Sequence, residues 1–221
     1  MRMYLSSYRL GDHVDRLFDL MRGKRRVGII ANALDFILDD ARQRYEETIY
    51  SPLRELSDLG AEPEYLDLRR YFGNSTALEQ TLREFDLVWV LGGNVFLLRR
   101  AMRQSGFDDL IARLLEEDSI VYGGFSAGAV VATKTLKGID LMDDPNELAE
   151  GYEPSVLWEG LGLVEFSIVP HYRSDHSEAE MAERAATFFK QDALPFQVLR
   201  DGDAILVEHG VISLLSDPIK D

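Results

Sequence analysis

A serine between two glycines is the residue of this sequence best placed to do chemistry. The stretch SIVYGGFSAGAVVA, residues 119–132, contains Gly124-Phe-Ser126-Ala-Gly128, which is the pattern G-x-S-x-G. β-rich residues precede this turn and small apolar residues follow it, so we expect a strand, a tight turn and a helix. A serine there exposes its hydroxyl at a helix N-terminus, where free N–H groups favour a developing negative charge. The sequence therefore predicts that Ser126 is a nucleophile. The alternative is a glycine-rich turn without catalytic chemistry, which either only shapes the chain or holds a phosphate.

A serine hydroxyl needs a base to remove its proton, and the chain has four histidines. His171 follows the strand-like residues 164–170, and strand ends of open α/β sheets gather ligand-binding groups. His176 lies in the same loop and stays a second candidate. His13 falls on the expected solvent side of a helix and His209 in a hairpin turn. The sequence therefore favours His171 as the base.

The base in turn needs a partner that fixes its orientation. Three acidic residues follow the serine in a polar stretch, namely Asp140, Asp143 and Asp144. Residues 140–153 contain acids and no base, so we expect them to form an exposed loop. The residue pattern alone does not rank the three.

A second glycine turn could complete such a site. Residues 91–96, LGGNVF, end the predicted strand 86–91 and open a helix. The N–H of Gly92 or Gly93, together with the N–H of Ala127, could form an oxyanion hole at the same sheet edge. A glycine pair needed only for turn geometry is an equally good interpretation of the spacing.

Metal and thiol chemistry are disfavoured. The chain contains no cysteine, which excludes a thiolate nucleophile, a disulfide and a cysteine-ligated metal. His171 and His176 with Asp175 could suggest metal ligands, but two histidines in a polar loop are weak evidence. We therefore expect no metal and no organic cofactor.

Strand-like and helix-like segments alternate along the chain, which predicts parallel βαβ units. We expect an α/β fold with a doubly wound, mostly parallel sheet, helices on both faces and a small antiparallel meander near the C-terminus, all in one domain over residues 1–221. The predicted strands are residues 26–31, 86–91, 119–122 and 164–170; the predicted helices are 12–21, 39–59 with a break at Pro52, 76–85, 95–117 with a break at Gly106, and 177–191.

Charge and hydropathy disfavour several classes of partner. The formal net charge of −15 disfavours binding to nucleic acid or to an anionic membrane surface. No apolar run approaches the ~20 residues that cross a bilayer, and the N-terminus lacks the apolar core of a signal peptide. We expect a cytoplasmic protein, and the sequence is compatible with a homo-oligomer.

Several motifs in order resemble one enzyme family. The set LGGNVFLL, GGFSAGA, an Asp about fourteen residues further on, and a strand ending in PHY is similar to peptidase family S51, the family of dipeptidase E and cyanophycinase. That family is a serine-nucleophile branch of the class I glutamine-amidotransferase-like fold, which is flavodoxin-like. The resemblance covers most of the chain and is far more specific than G-x-S-x-G alone.

The resemblance implies a catalytic set. By position, Ser126 matches the family nucleophile, His171 the base, and Asp140 stands near the third position of the triad. Gly93 and Ala127 match the oxyanion-hole positions. The implied activity is hydrolysis of short peptides by a serine peptidase without a cofactor.

The resemblance also implies a substrate class. Dipeptides with an N-terminal aspartate are one substrate type of this family, and an acidic side chain would need a cation in the pocket. Arg173, beside the proposed base, is the nearest candidate in the sequence, and a solvated loop arginine is an equally good interpretation of it. Gly92 and Asn94 are further expected contacts of the peptide.

Two other functions compete with this interpretation. An α/β-hydrolase esterase shares the serine turn and the order Ser, Asp, His, but the chain is short for that fold. A non-catalytic binding protein could keep the same fold. A glutaminase of the amidotransferase type normally carries a cysteine at the turn, so a chain without cysteine strongly disfavours that activity.

Overall fold

A seven-stranded sheet forms the centre of the protein in a computed structural model, which describes residues 1–217. Its strands occur in the spatial order β3-β2-β4-β5-β1-β8-β9. Two further strands, β6 and β7, form a small separate sheet. The strands are β1 (Arg2–Ser6), β2 (Arg26–Ile30), β3 (Glu62–Tyr65), β4 (Leu87–Val90), β5 (Val121–Phe125), β6 (Ser167–Val169), β7 (Phe196–Val198), β8 (Ala204–Glu208) and β9 (Val211–Leu215).

Helices connect these strands and cover both faces of the large sheet. They are α1 (Val14–Met21), α2 (Asp39–Thr48), α3 (Pro52–Asp58), α4 (Ser75–Leu82), α5 (Val95–Ser105), α6 (Phe107–Glu116), α7 (Ala127–Val130) and α8 (Ala179–Gln191). The breaks expected at Pro52 and Gly106 separate α2 from α3 and α5 from α6. Proline starts α3 because it needs no N–H there, and Gly106 ends α5 at a positive φ of 75°.

The sheet is parallel except at one edge. Strands β3, β2, β4, β5 and β1 run parallel to one another, whereas β8 and β9 join antiparallel beyond β1. All four residues of β4 are buried, as expected for a strand covered on both faces. The expected α/β fold with antiparallel C-terminal strands is confirmed.

Two apolar cores lie on opposite faces of the large sheet. On one face, Leu17 of α1 and Leu56 of α3 pack with the strand residue Trp89. On the other, Phe96 of α5 and Phe107 of α6 belong to a larger cluster. Burial of side chains of this size contributes about 1.5–3 kcal/mol each, so these layers fix the sheet on which the site is built.

The structure departs from the expected elements at the chain ends. The N-terminal residues form β1, a fully buried strand in the middle of the sheet, which hydropathy did not single out. Strand β7 does not join the antiparallel strands of the tail. Instead it pairs in parallel with β6, with Val169 opposite Val198.

The acidic stretch 140–153 is largely exposed, but hydrogen bonds hold its backbone to the rest of the protein. Arg100 on α5 is buried and donates hydrogen bonds to backbone carbonyl oxygens of this stretch and its continuation, at 2.8 Å to Pro145 and 3.1 Å to Ser155. A buried guanidinium satisfied by several carbonyls ties the segment to the body of the protein.

No helix within residues 1–217 is long and apolar enough to span a bilayer. The expectation of one domain over residues 1–221 stays a prediction. Its last four residues, 218–221, lie outside the described part of the chain.

Candidate active site

Ser126 stands at the sharp turn between β5 and α7. Its backbone has φ 48° and ψ −118°, which is a strained conformation for a residue with a side chain. The strain is held by backbone bonds, since the Ser126 N–H donates to the carbonyls of Ser6 and Ser7 at 3.2 and 3.1 Å, and its carbonyl accepts from the first turn of α7. Within residues 1–217 the Ser126 hydroxyl has no hydrogen-bond partner.

The glycines of the motif allow α7 to approach the sheet closely. A side chain on Gly128 would overlap the carbonyl oxygen of Val90 at the end of β4. A Cβ on Gly124 would lie 2.7 Å from the carbonyl oxygen of Gly128. Both positions therefore need glycine for space, and the resulting turn presents the serine at the carboxyl ends of the strands.

His171 follows β6 and is almost completely buried. Its Nδ1 lies 2.8 Å from a carboxylate oxygen of Asp201, and its backbone N–H donates to the hydroxyl of Ser7 at 2.8 Å. A carboxylate can only accept, so Nδ1 carries the proton and Nε2 is left with the basic lone pair. The imidazole is held in the form that a general base requires.

Asp201 meets His171 because their strands are parallel neighbours. His171 follows β6 and Asp201 follows β7, so both lie at the same end of the small sheet. Burial alone would raise the pKa of Asp201, but the hydrogen bonds from His171 and from Ser7 Oγ, the latter at 2.9 Å, lower it below its usual value. The Asp201 N–H also donates to Ser174 Oγ at 2.8 Å, which fixes the loop.

None of the three acids expected from the sequence binds the histidine. Asp140 is exposed and accepts the N–H of Gly138 at 2.9 Å, and Asp144 accepts an N–H within its own turn. Asp143 accepts the N–H of Val95 at the start of α5 at 2.8 Å. The orienting position expected for Asp140 is therefore taken by Asp201.

The sequence pattern does not identify Asp201 as the partner of the histidine, because Asp-Gly is a typical turn dipeptide and Asp201-Gly202 is fully explained as a turn. The signal that could have found it is an acid placed just after a strand, as His171 is placed after another. Using that signal requires knowing that β6 and β7 pair, which the pattern of residues does not show.

The second glycine turn lies against the serine. A Cβ on Gly92 would be 3.1 Å from the Cβ of Ser126, and one on Gly93, whose φ is 135°, would be 2.5 Å from the carbonyl oxygen of Ala33. Within residues 1–217 neither the Gly93 N–H nor the Ala127 N–H donates a hydrogen bond. Both N–H groups are therefore free to donate, which the donors of an oxyanion hole must be.

These groups open into one cavity of about 380 Å³. Ser126, His171, Gly92 and Gly93 lie along it, so the serine, the base and the glycine turn share one space. The remaining wall combines aromatic and charged side chains. Among them are Tyr8, Arg9, Arg42, Tyr45, Glu46, Tyr50, Phe125, His176 and Glu178.

Comparison with known proteins identifies the family of this chain. The model of peptidase family S51 matches residues 14–215. The chain belongs to peptidase family S51. The family expected from the sequence is thereby confirmed.

The alignments with individual relatives cover shorter regions than the family model does. This S51 chain is 35% identical over 144 residues to the "Probable alpha-aspartyl dipeptidase" of Drosophila melanogaster, covering 63% of this chain and 57% of that protein. It is 33% identical over 132 residues to the peptidase E of Streptomyces coelicolor, covering 58% and 51%. The chain thus spans less than two thirds of the length of these relatives.

A solved structure extends the similarity of fold over nearly the whole chain. A Listeria monocytogenes protein provisionally named peptidase E superposes with a TM-score of 0.78 at 24% identity, covering 98% of both chains. This likeness supports the class I glutamine-amidotransferase-like architecture.

Two expected substrate contacts of this S51 chain lie away from the cavity. Asn94 is buried, caps α5 by accepting the N–H of Leu97 at 2.9 Å, and donates to the carbonyl of Asp144. Arg173 is 68% exposed and pairs with Glu183 at 3.4 Å. Neither lines the cavity, so the expected contacts of Asn94 and Arg173 with a substrate are not supported by the geometry. Gly92 does line it.

A small cluster surrounds the histidine of this S51 chain. The rings of His171 and His176 stack with centroids 3.7 Å apart, and a Glu178 carboxylate oxygen lies 3.8 Å from His171 Nε2. Burial and the neighbouring His171 lower the pKa of His176, which favours its neutral form. These three side chains could hold a metal ion, since their ligand atoms lie within 4.8 Å of one another. Asp175, expected with them, is not in the group, and the absence of a metal stays a prediction.

Proposed function

We propose that this chain is a serine peptidase that hydrolyses short peptides, dipeptides among them, through an acyl-enzyme on Ser126. The observation that carries the proposal is that His171, held by its hydrogen bond to Asp201, lines the same cavity as the strained serine. Peptidase family membership and the names of the relatives support the same reaction class.

The reaction begins with proton transfer. His171 Nε2 removes the Ser126 proton as the oxygen attacks the scissile carbonyl carbon, while Asp201 stabilises the imidazolium that forms. The N–H groups of Gly93 and Ala127 donate to the oxyanion of the tetrahedral intermediate. The imidazolium then protonates the leaving amine, and a water activated by His171 hydrolyses the ester.

The cavity suits a small substrate. A space of about 380 Å³ lies at the lower end of the usual range for ligand sites. The Drosophila relative's name specifies an alpha-aspartyl dipeptide. We therefore propose dipeptides, with those beginning in aspartate as the first to assay.

The test is turnover and labelling of the nucleophile. We expect wild type to cleave a panel of dipeptides and to be labelled on Ser126 by a serine-directed phosphonate, detected by peptide mass spectrometry. Ser126→Ala keeps the fold, checked by circular dichroism, and loses both. Near wild-type hydrolysis by Ser126→Ala would overturn the proposal.

The competing functions give different results in the same assay. Cleavage of simple esters without cleavage of peptides would favour the esterase. A folded protein that neither turns over substrate nor reacts with the phosphonate would favour a non-catalytic binding protein. The cytoplasmic location and the homo-oligomer stay predictions.

A further inference from the structure

Arg9 is a cation on the wall of the catalytic cavity whose neighbours are tyrosines. Its guanidinium carbon lies 4.1 Å from the ring centroid of Tyr50 and 4.9 Å from that of Tyr8. Within residues 1–217 no carboxylate lies within salt-bridge distance of it. By contrast, Arg42, the other arginine on this wall, pairs with Asp35 at 3.5 Å. Arg9 therefore faces the cavity with its charge uncompensated.

The backbone at Arg9 is held in an uncommon conformation. Its φ is 47°, which a residue with a side chain adopts only at a cost of about 1–3 kcal/mol. The hydroxyl of Ser6, the last residue of β1, donates to the Arg9 carbonyl oxygen at 2.6 Å. The hydrogen bond to the end of β1 thus fixes the backbone from which the Arg9 side chain extends.

The residue before Arg9 connects it to the catalytic histidine. The Tyr8 ring lies edge-on to His171, with centroids 6.0 Å apart, and to His176 at 5.4 Å. Tyr8 also packs edge-on to Phe125, the neighbour of Ser126, with ring centroids 6.3 Å apart. One segment therefore places Arg9 on the same wall as the base, within the space a short peptide would occupy.

The Arg9 guanidinium is suited to bind a planar anionic group. A guanidinium stacked on aromatic faces is partly desolvated yet keeps the N–H groups at its edge, which match a carboxylate in a two-point contact. The protein carries a net charge of −15, so an anionic substrate needs a local cation to be retained.

We propose that Arg9 binds a carboxylate of the peptide substrate. The cavity would then prefer peptides whose carboxylate reaches Arg9 over peptides that lack it. The proposal rests on the proposed peptidase function for the identity of the ligand as a peptide. The carboxylate is either the side chain of an N-terminal aspartate or the C-terminal α-carboxylate, and the two are separated by experiment.

The experiment measures binding as well as turnover. Four peptides, Asp-Leu, Asn-Leu, Asp-Leu-amide and Asn-Leu-amide, are titrated calorimetrically into Ser126→Ala, with and without Arg9→Met. The kcat/KM of each peptide is measured in the wild-type, Arg9→Met, Arg9→Lys and Arg173→Ala proteins. Arg173→Ala is the matched control, because it removes an exposed arginine outside the cavity.

We expect Arg9→Met to weaken binding of the recognised carboxylate about 10- to 100-fold, the usual effect of losing a charged hydrogen bond, and to leave its neutral counterpart unchanged. If the preference for Asp over Asn collapses, the side chain is the ligand. If the preference for peptides with a free C-terminal carboxylate over their amides collapses, the α-carboxylate is the ligand. Arg9→Lys retains part of the preference, and Arg173→Ala retains all of it.

Three results would overturn the proposal: no carboxylate-dependent binding to the Ser126→Ala protein, equal loss for all four peptides in Arg9→Met, or the same loss in Arg173→Ala. A circular dichroism melt of each variant separates loss of binding from loss of fold. Because the titration does not depend on hydrolysis, it remains decisive for Arg9 even if the serine proves inactive.

Discussion

Among single residues, Asp201 makes the most decisive contact with the proposed base. We expect Asp201→Asn to lower kcat about 10⁴-fold, because an amide can donate to Nδ1 and so favours the wrong imidazole tautomer. KM should change little, since Asp201 does not line the cavity. Steady-state kinetics on the best dipeptide measure both constants.

Asp140→Asn is the matched control for this change. Its carboxylate is exposed and accepts only the N–H of Gly138, so the variant should keep wild-type kcat. A large loss in Asp140→Asn together with an active Asp201→Asn would return the orienting role to Asp140.

The sequence was sufficient for part of the site. Ser126 and His171 each follow a strand-like run directly, so local pattern predicts their place at the sheet edge. Asp201 and Arg9 could not be found in this way. Their positions depend on pairing between distant segments, β7 with β6 and β1 with β5, and one-dimensional pattern does not specify which strands pair.

Among the elements, α7 has the tightest contact with the sheet. We expect Gly128→Ala to destabilise the protein by about 1–3 kcal/mol, because the new methyl group overlaps the Val90 carbonyl and forces α7 away from β4. The displaced turn should also lower kcat strongly. Thermal melts and kinetics of the purified variant measure the two effects.

Gly73→Ala separates this packing effect from backbone strain. Gly73 has φ 72° and open space where a Cβ would lie, so the change costs about 1 kcal/mol and leaves activity unchanged. Equal behaviour of the two variants would show that close packing under the serine does not matter.

The elements themselves were largely accessible to sequence reasoning. Several helices and two strands of the first half follow apolar patterns, and Pro52 and Gly106 mark interruptions of the helices. The fold class followed from that alternation. Strand β3, EPEY, was not predicted, because its residues are mostly polar and lie at the sheet edge with little burial.

For the whole molecule, Asp143 links stability to pH. Burial raises its pKa from 3.8 to about 7, with Glu178 adding to the rise and the Val95 N–H opposing it. The folded state therefore binds the proton more tightly than the unfolded chain. This stabilisation is complete below about pH 4 and is lost as the pH rises through about 7.

Asp143→Asn should remove that pH dependence. The neutral amide can still accept the Val95 N–H, so we expect the variant to be more stable than wild type at pH 8, by about 1–3 kcal/mol, and nearly equal at pH 4. Urea unfolding at several pH values measures the difference. A gap that is constant with pH, or one equal to that of Asp140→Asn, would contradict this assignment.

The hydroxyl of Ser7 has a consequence for how the protein folds. It joins residues 164 and 194 positions away along the chain, His171 and Asp201, next to the serine turn. Contacts of such long range form late, because the entropy of closing the loop is lost before the contact is gained. We therefore expect the contacts that orient the proposed base to be among the last that form as the chain folds.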